Sequence, residues 1–423
     1  MEEWKQYRLI DVLDTLIDYR GKTPKKTSSG VPLITAKIIK NGRIETPTEF
    51  ISVDDYDSWM VRGFPKVGDV VLTTEAPLGE VAQLDDANIA LAQRVVTLRG
   101  KSDVLDNTYL KYYFLSNVGQ QRLKARETGT TVTGIKQSEL REVIVDVPPY
   151  EMQVGIAKVL KSLDEKIEVN RRINDILEQQ AQALFKSWFV DFEPFKDGEF
   201  VESELGMIPK GWRVGRYDDI IESTISGDWG KEKPEGNYTH RVACIRGCDF
   251  QDIKNGLRGK TPERYILEKN FLTKHFKDKD VLVEISGGTA TVSTGRVCPV
   301  SQLLIDKFNE DIVCTNFCRL VRPKPSYGAY LYYSWLYKFN NKVMFGYENG
   351  TSGIKNFRIK DFTSLEPIVI PSESSLQLFQ SMIDKLQMKL QMNGSESQKL
   401  ASLRNTLLPR LMSGELKVNE IEI

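Results

Sequence analysis

Seven basic residues, Arg20, Lys22, Lys25, Lys26, Lys37, Lys40 and Arg43, fall between Asp18 and Glu45 with no acid among them. Their first part, YRGKTPKKTSSG, has the Gly, Pro, Ser and Thr content of a loop. Cations strung along a loop suit the neutralisation of successive phosphates on a nucleic-acid backbone, and Thr23 adds a hydroxyl to the run. Arg and Lys also read guanine edges, as Asn and Gln read adenine. Arg246, Lys254, Arg258 and Lys260 make a comparable set in the second half. A hydroxyl-rich phrase, GTTVTGIK at 129–136, returns as NGTSGIKNFRI at 349–359. There Thr130, Thr131 and Thr351 offer hydroxyls and N–H groups to phosphate, and Lys136 and Lys355 follow. The same residues also suit a plain tight turn ahead of a strand.

Other chemistries find less support. DVPPY at 146–150 resembles the Asp/Asn-Pro-Pro-Tyr motif with which amino-methyltransferases grip a flipped base, but Val147 interrupts it and no Gly-x-Gly cofactor loop accompanies it. No phosphate loop of the Gly-x4-Gly-Lys type is present, which removes a motor. DVLVEIS at 280–286 has the acids of a metal-dependent nuclease but Ser286 where a lysine belongs, and reads better as a buried strand. Cys244/Cys248 and Cys314/Cys318, with Cys298 between, have zinc-like pairing, yet both pairs sit in apolar strand-like stretches and read as reduced core thiols. His240 and His275, both expected in loops, are too few for a histidine network. Neither metal, cofactor nor catalytic residue is expected.

With 423 residues the chain exceeds a single core, and 40% hydrophobic content is ordinary for a folded protein. Charge is balanced, 58 basic against 58 acidic, so any nucleic-acid site must come from local clustering. The start MEEWKQYRLI is not a secretory signal, no run is long enough to span a membrane, and an odd set of five cysteines argues against disulfides. A cytoplasmic protein is expected.

The elements that must position these residues are written twice. GVPLITAKIIKNG (30–42) pairs with RVACIRGCDFQDIKNG (241–256), placing Ile34 opposite Ile245. VGDVVLTT (67–74) pairs with DKDVLVEIS (278–286), placing Asp69 opposite Asp280. NTYLKYYFLSN (107–117) echoes GAYLYYSWLYKFN (328–340), and Trp4 and Trp212 each open a half. Two copies with a long period describe a fused pseudo-dimer.

Each half ends in a helical seam. Ile156, Leu160, Leu163, Ile167, Asn170, Asn174, Leu177, Ala181, Leu184 and Trp188 alternate steps of four and three. Phe379, Ile383, Leu386, Leu390, Asn393, Ser397, Leu400, Arg404, Leu407 and Leu411 do the same, a coiled-coil pattern. The spacing that relates Asn170 to Asn393 also relates Asn174 to Ser397, so both seams carry a polar break that sets register in an antiparallel pair. Each helix of about 36 residues is about 54 Å long, against about 34 Å for a turn of B-DNA. The expected fold is mixed α/β (α+β) lobes in tandem, pseudo-twofold related and separated by two long antiparallel coiled-coil helices. Its segments are a first lobe at 1–148, a helix at 149–192, a linker without periodicity at 193–211, a second lobe at 212–371, a helix at 372–414 and a tail at 415–423.

Several phrases across this layout resemble the specificity subunits of type I restriction–modification systems. They are GTTVTGIKQSELREVIVDVPPYEMQ before the first helix, LFKSWFVDFEPF with ELGMIPKGW between the halves, GTSGIKNFRI with IVIPSE, and LLPRLMSGEL near the end. The resemblance spans essentially the whole chain. It implies two target-recognition lobes, each reading half of a bipartite double-stranded DNA site, on a frame that docks two adenine methyltransferase subunits and restriction/translocase subunits. The chain itself is then non-catalytic, and because the lobes differ over 43–128 and 257–348 its target is asymmetric. One departure is that Pro148, Pro149, Glu151 and Gln153 have only Pro371, Ser372 and Glu373 as counterparts, which implies unequal docking surfaces. The competing reading is a coiled-coil adaptor that binds no DNA.

Overall fold

The computed structural model describes residues 4–21, 23–129, 133–350 and 355–421. Its central strands arise from short β-branched runs, VVLTT at 70–74 and VLVE at 281–284, buried along their whole length. Four helices organise the remainder: α1 (Asn107–Leu115), α2 (Tyr150–Phe189), α3 (Gly328–Asn340) and α4 (Glu373–Met412). The chain divides into two compact units, Met1–Lys166 with Leu400–Ile423, and Ile167–Lys399. Each unit therefore holds one α/β lobe with one half of α2 and one half of α4.

In the first unit an antiparallel sheet runs in the order 13–18, 95–100, 70–74, 78–83. Strand Lys5–Arg8 pairs with Ile144–Val147, and Val31–Ile34 pairs in parallel with Ala90–Leu91. The second unit repeats all three arrangements. Its sheet runs 221–226, 318–323, 281–284, 297–299; Arg213–Arg216 pairs with Pro367–Ile370; and Tyr238–Ile245 pairs in parallel with Asp311–Cys314. Duplication is thus present in the hydrogen-bond ladders, not only in residue types.

Both sheets are pinned by the same buried ion pair. Asp69 takes two guanidinium bonds from Arg99, 2.7 Å each, and the N–H of Lys66 at 2.8 Å. Asp280 takes two from Arg322, 2.9 and 2.8 Å, and the N–H of Lys277 at 2.7 Å. Each carboxylate is 1% exposed, so the fork geometry and the extra N–H are what make the buried charge tolerable. The aromatic helices α1 and α3 cover the sheets, with Tyr109, Tyr112 and Tyr113 in one core and Tyr330, Tyr332, Tyr333 and Trp335 in the other. Tyr109 donates its hydroxyl to Asp146 O, and Tyr330 to Val369 O, the strands that feed the long helices.

The segment read as a linker without periodicity, 193–211, contains regular structure. Strands Phe200–Ser203 and Gly206–Pro209 form a hairpin, and the rings of Phe192 and Phe195 lie 5.8 and 4.8 Å from Trp212. Three aromatics within a short stretch supply enough apolar area to hold it, which a search for periodicity does not register.

Candidate nucleic-acid interface

The repeated phrase does the same job in both units. In the first, Thr128 and Gly134 exchange N–H···O bonds of 2.7 and 3.0 Å, and Gly129 takes φ 106°. Its base is fixed to the sheet by Ile135 N–H donating to Thr74 O at 2.9 Å. In the second, Glu348–Asn349 pairs with Lys355–Phe357, which pairs with Ser286–Gly287, and Phe357 N–H donates to Ile285 O at 2.9 Å. In each unit the described flanks of the phrase bond to each other and hang from the end of the central strand. The shared Gly-Ile-Lys letters are out of step with this equivalence. Lys136 occupies the position before the helix Gln137–Arg141, and its structural counterpart is Arg358, which precedes Ile359–Leu365, rather than Lys355. Local identity of three residues was a weaker guide to register than the hydrogen bonds to the sheet.

A second repeated feature sits where the sheets' first strands end. Asp18 accepts the N–H of Arg20 at 2.8 Å, and Asp228 accepts that of Gly230 at 3.1 Å, so DYRGK (18–22) and DWGK (228–231) begin with the same side-chain turn. Sequence reasoning missed this echo because an extra residue, Arg20, interrupts one copy; the order Asp, aromatic, Gly, Lys was the available signal. Arg20 donates to Ile135 O at 2.7 Å and so ties the basic loop to the first phrase. Arg62 braces that loop from behind through Asp18 O and Arg20 O, while Tyr19 stacks on Trp59 at 5.4 Å. In the second unit the half-exposed Trp229 lies 3.8 Å from the guanidinium of Arg264.

The candidate cations divide by what already holds them. Lys26 pairs with Glu49 at 2.9 Å and Lys40 with Glu45 at 3.0 Å, exposed pairs of the weak kind that a phosphate can displace. Lys40, Asn41 and Arg43 lie on the hairpin Ile39–Lys40/Arg43–Ile44. Thr23 bonds Gln93 at 3.3 Å. Arg246 is committed to Asp249 by two 3.0 Å bonds and to Lys260 O, and the Asp249 hydrogen bond pushes its pKa up. Arg258 holds Glu310 at 2.7 Å and lies over Phe308, Lys254 lies over Tyr332, and Lys355 pairs with Glu348 at 2.9 Å. Lys25, Lys37, Arg43, Lys136 and Lys260 have no side-chain partner among the described residues. Lys22, Thr130, Thr131 and Thr351 lie outside those residues. A further patch went unnoticed in the sequence: GTATV at 288–292 is an exposed loop, and Lys355 donates to Thr289 O at 3.3 Å, joining it to the second phrase.

The polar breaks in the long helices are bonded within the second unit. Asn170 donates to Glu396 at 2.8 Å and to Ser397 Oγ at 3.3 Å. Asn393 donates to Asn174 Oδ1 at 2.9 Å, and Asn174 donates to Leu390 O and Asn255 O, both at 3.2 Å. In the first unit the helix halves meet through Ile156, Leu160, Leu407 and Leu411 in one core, with Arg404 donating to Asp164 at 2.5 Å. Residue numbers rise along α2 as they fall along α4 in both units, so each pair is antiparallel.

The cysteine pairs do not share faces. Cys248 leaves the strand for a 3-10 turn and is exposed while Cys244 is buried; Cys314 ends one strand and Cys318 begins the next. Burial pushes the Cys244, Cys298 and Cys318 thiols up to about 12. Among the described residues no cluster of His, Cys, Asp and Glu could hold a metal ion. His240 lies on a strand, not in a loop, stacked 4.2 Å from Phe271 and bonded to Glu268 and Asp311 at 2.5 and 2.8 Å. No helix among the described residues is long and apolar enough to cross a membrane.

Two α/β lobes of one design, in units that each hold part of both long helices and carry exposed cations, define a tandem two-lobe scaffold. Residues 1–179 match the family model described as type I restriction modification DNA specificity domain. The MjaIX specificity subunit of Methanocaldococcus jannaschii is 31% identical over 432 residues, covering 99% of this chain and 95% of that one. The HindI specificity subunit of Haemophilus influenzae is 24% identical, covering 98% and 100%. In fold the chain is similar to the crystal structure of the S subunit of a type I system from M. genitalium, with TM-score 0.54, 16% identity and coverage of 97% and 96%. The chain belongs to the family of type I restriction enzyme specificity subunits.

Proposed function

We propose that this chain is the non-catalytic subunit that reads double-stranded DNA for a type I restriction–modification complex. Residues 1–148 and 212–371 each read one half of an asymmetric two-part site. The helices 149–192 and 372–414 space the lobes, 193–211 links them, and 415–423 is a tail. Two adenine methyltransferase subunits and restriction/translocase subunits assemble on this frame in the cytoplasm, and chemistry resides in them. The observation that carries the reading is the doubled lobe, in which Arg20 ties a cationic loop to a phrase hung from the sheet. Lys25, Lys37, Arg43, Lys136 and Lys260 are assigned to phosphates first, because no pair among the described residues must break. Lys26, Lys40, Lys355 and Arg258 come second, and Arg246 and Lys254 hold the lobe that presents them.

Salt-dependent DNA binding tests the assignment. Replacing Lys25, Lys37 and Arg43 with Ala should shallow the slope of log affinity against log salt by about 0.9 for each phosphate that is no longer neutralised. An unchanged slope takes these three cations out of the interface. Mapping modified adenines after co-expression with the methyltransferase should give an asymmetric two-part motif; a palindrome would overturn the reading of two different lobes.

A further inference from the structure

Gly394 stands in the interior of α4, where glycine weakens a helix, and Gln391, three residues earlier, is buried although polar. The reason lies in the corner that ends the helix Phe250–Lys254. Built on Gly394, a methyl group would overlap the carbonyl oxygens of Asn255 and Gly256; built on Gly256, it would lie 2.9 Å from Leu390 O and 3.1 Å from the Cα atoms of Gln391 and Gly394. Backbone rests on backbone here.

Three carbonyls of the corner are met by polar side chains. Gln391 reaches Ile253 O at 3.5 Å, Asn174 donates to Asn255 O at 3.2 Å, and Lys307 donates to Gly256 O at 2.5 Å. Lys307 also donates to Gln391 O and Oε1, at 3.1 and 2.7 Å, so its three protons have three acceptors without a carboxylate. Burial pushes its pKa down to about 8. A lysine desolvated against neutral carbonyls is costly, and its geometry fits a latch rather than a surface contact.

In the first lobe the matching corner is Asn41–Gly42, whose Gly42 faces Leu115 and Lys111 of α1 instead. The α2 residue that corresponds to Gly394 is Arg171, which is bonded to its own helix through Glu168 and Asp175. One lobe is latched to the polar layer of the helix pair and the other is seated differently.

We infer that Lys307, with the facing glycines Gly256 and Gly394, is a positioning residue that fixes the second lobe's angle on the α2–α4 pair and so sets which separation of half-sites the protein accepts. This rests on the DNA-reading function proposed above.

The test uses the full chain with Lys307→Met and Gly394→Ala, and Met388→Ala as a control on the exposed side of α4. In hydrogen exchange, amides of 253–256 should exchange at least about tenfold faster in both variants, with 70–74 unchanged. In the complex with its methyltransferase, a DNA library of varied spacer lengths should be modified at the same half-site bases. The accepted spacer should widen from one length to its neighbours, and Met388→Ala should change neither readout. Unchanged exchange overturns the latch. Faster exchange with an unaltered spacer overturns its positioning role. If the unsubstituted chain directs no two-part methylation, the DNA-reading function fails instead, and exchange alone then decides whether the latch exists.

Discussion

Lys40-Asn41-Gly42 and Lys254-Asn255-Gly256 are the same three letters in two different structures. In the first, Asn41 and Gly42 take φ of 51° and 83° and turn a two-residue hairpin between Ile39–Lys40 and Arg43–Ile44. In the second, Asn255 closes a helix with φ −83° and only Gly256, at φ 76°, is left-handed. The flanking residues decide between them. Ile39 and Ile44 sit opposite each other as a strand pair, whereas Phe250 and Ile253, three apart, bury one face of a helical turn. Glycine supplies the permission to turn; the neighbours choose the turn, and the turn determines whether the corner reaches the helix pair.

The contrast is sharpest against what the lobes share. Asp69→Asn and Asp280→Asn should each cost about 3–5 kcal/mol, since each leaves a buried guanidinium without its partner, and urea unfolding should show similar losses for the two. A large difference between them would mean that the sheets are less alike in energy than in hydrogen bonding. Gly394→Ala comes next and is a test of sign. Helix propensity alone favours it by about 1 kcal/mol, while overlap with the 255–256 carbonyls should reverse this to a loss of about 1–3 kcal/mol. Gly42→Ala should cost only about 1 kcal/mol, for its left-handed φ.

A smaller pair of effects distinguishes the two aromatic helices. Next to α1, Asp164 accepts from Tyr112 at 2.7 Å and Arg404 at 2.5 Å, with Lys111 at 3.4 Å. Burial alone would raise its pKa, but Lys111, the Tyr112 hydroxyl and Arg404 outweigh it and hold the carboxyl below its ordinary value. Next to α3, Glu178 has Tyr333 and Gln182 at 3.3 and 3.0 Å, and burial pushes its pKa up. Asp164→Asn should therefore destabilise by about 1–3 kcal/mol at neutral pH, and Glu178→Gln by about nothing. The pH dependence has opposite signs. The stability from Asp164 is present above its unfolded pKa and lost as pH falls through the depressed folded one. The cost of ionised Glu178 is present above its raised folded pKa and relieved as pH falls through it. Relative to the intrinsic exchange rate at each pH, protection at the C-terminal turn of α1 should fall on acidification while that at α3 rises; parallel behaviour would refute the contrast. Least of all, Arg172→Ala, an exposed partner of Glu168, should cost about 0.3–0.5 kcal/mol in thermal unfolding.

The duplication was legible because the buried strands and aromatic helices need the same residue types in both halves. The antiparallel helices were legible because a three–four alternation has few other solutions. Register within the phrase was not, since Gly-Ile-Lys recurs three residues out of step with the bonds from Ile135 and Phe357 to the sheet. Nor was the sorting of cations: Arg246 and Lys25 look alike in sequence, yet Asp249 claims one and nothing among the described residues claims the other.

By itself, then, the sequence determined that there are two lobes, two long helices and basic loops, because periodicity and burial are local or repeated properties. Tertiary structure alone decided which charges are free, which glycine faces a carbonyl and what meets the polar layer at Asn174. Those depend on atoms far apart in the chain arriving within about 3 Å of each other, a distance that no spacing along the chain encodes.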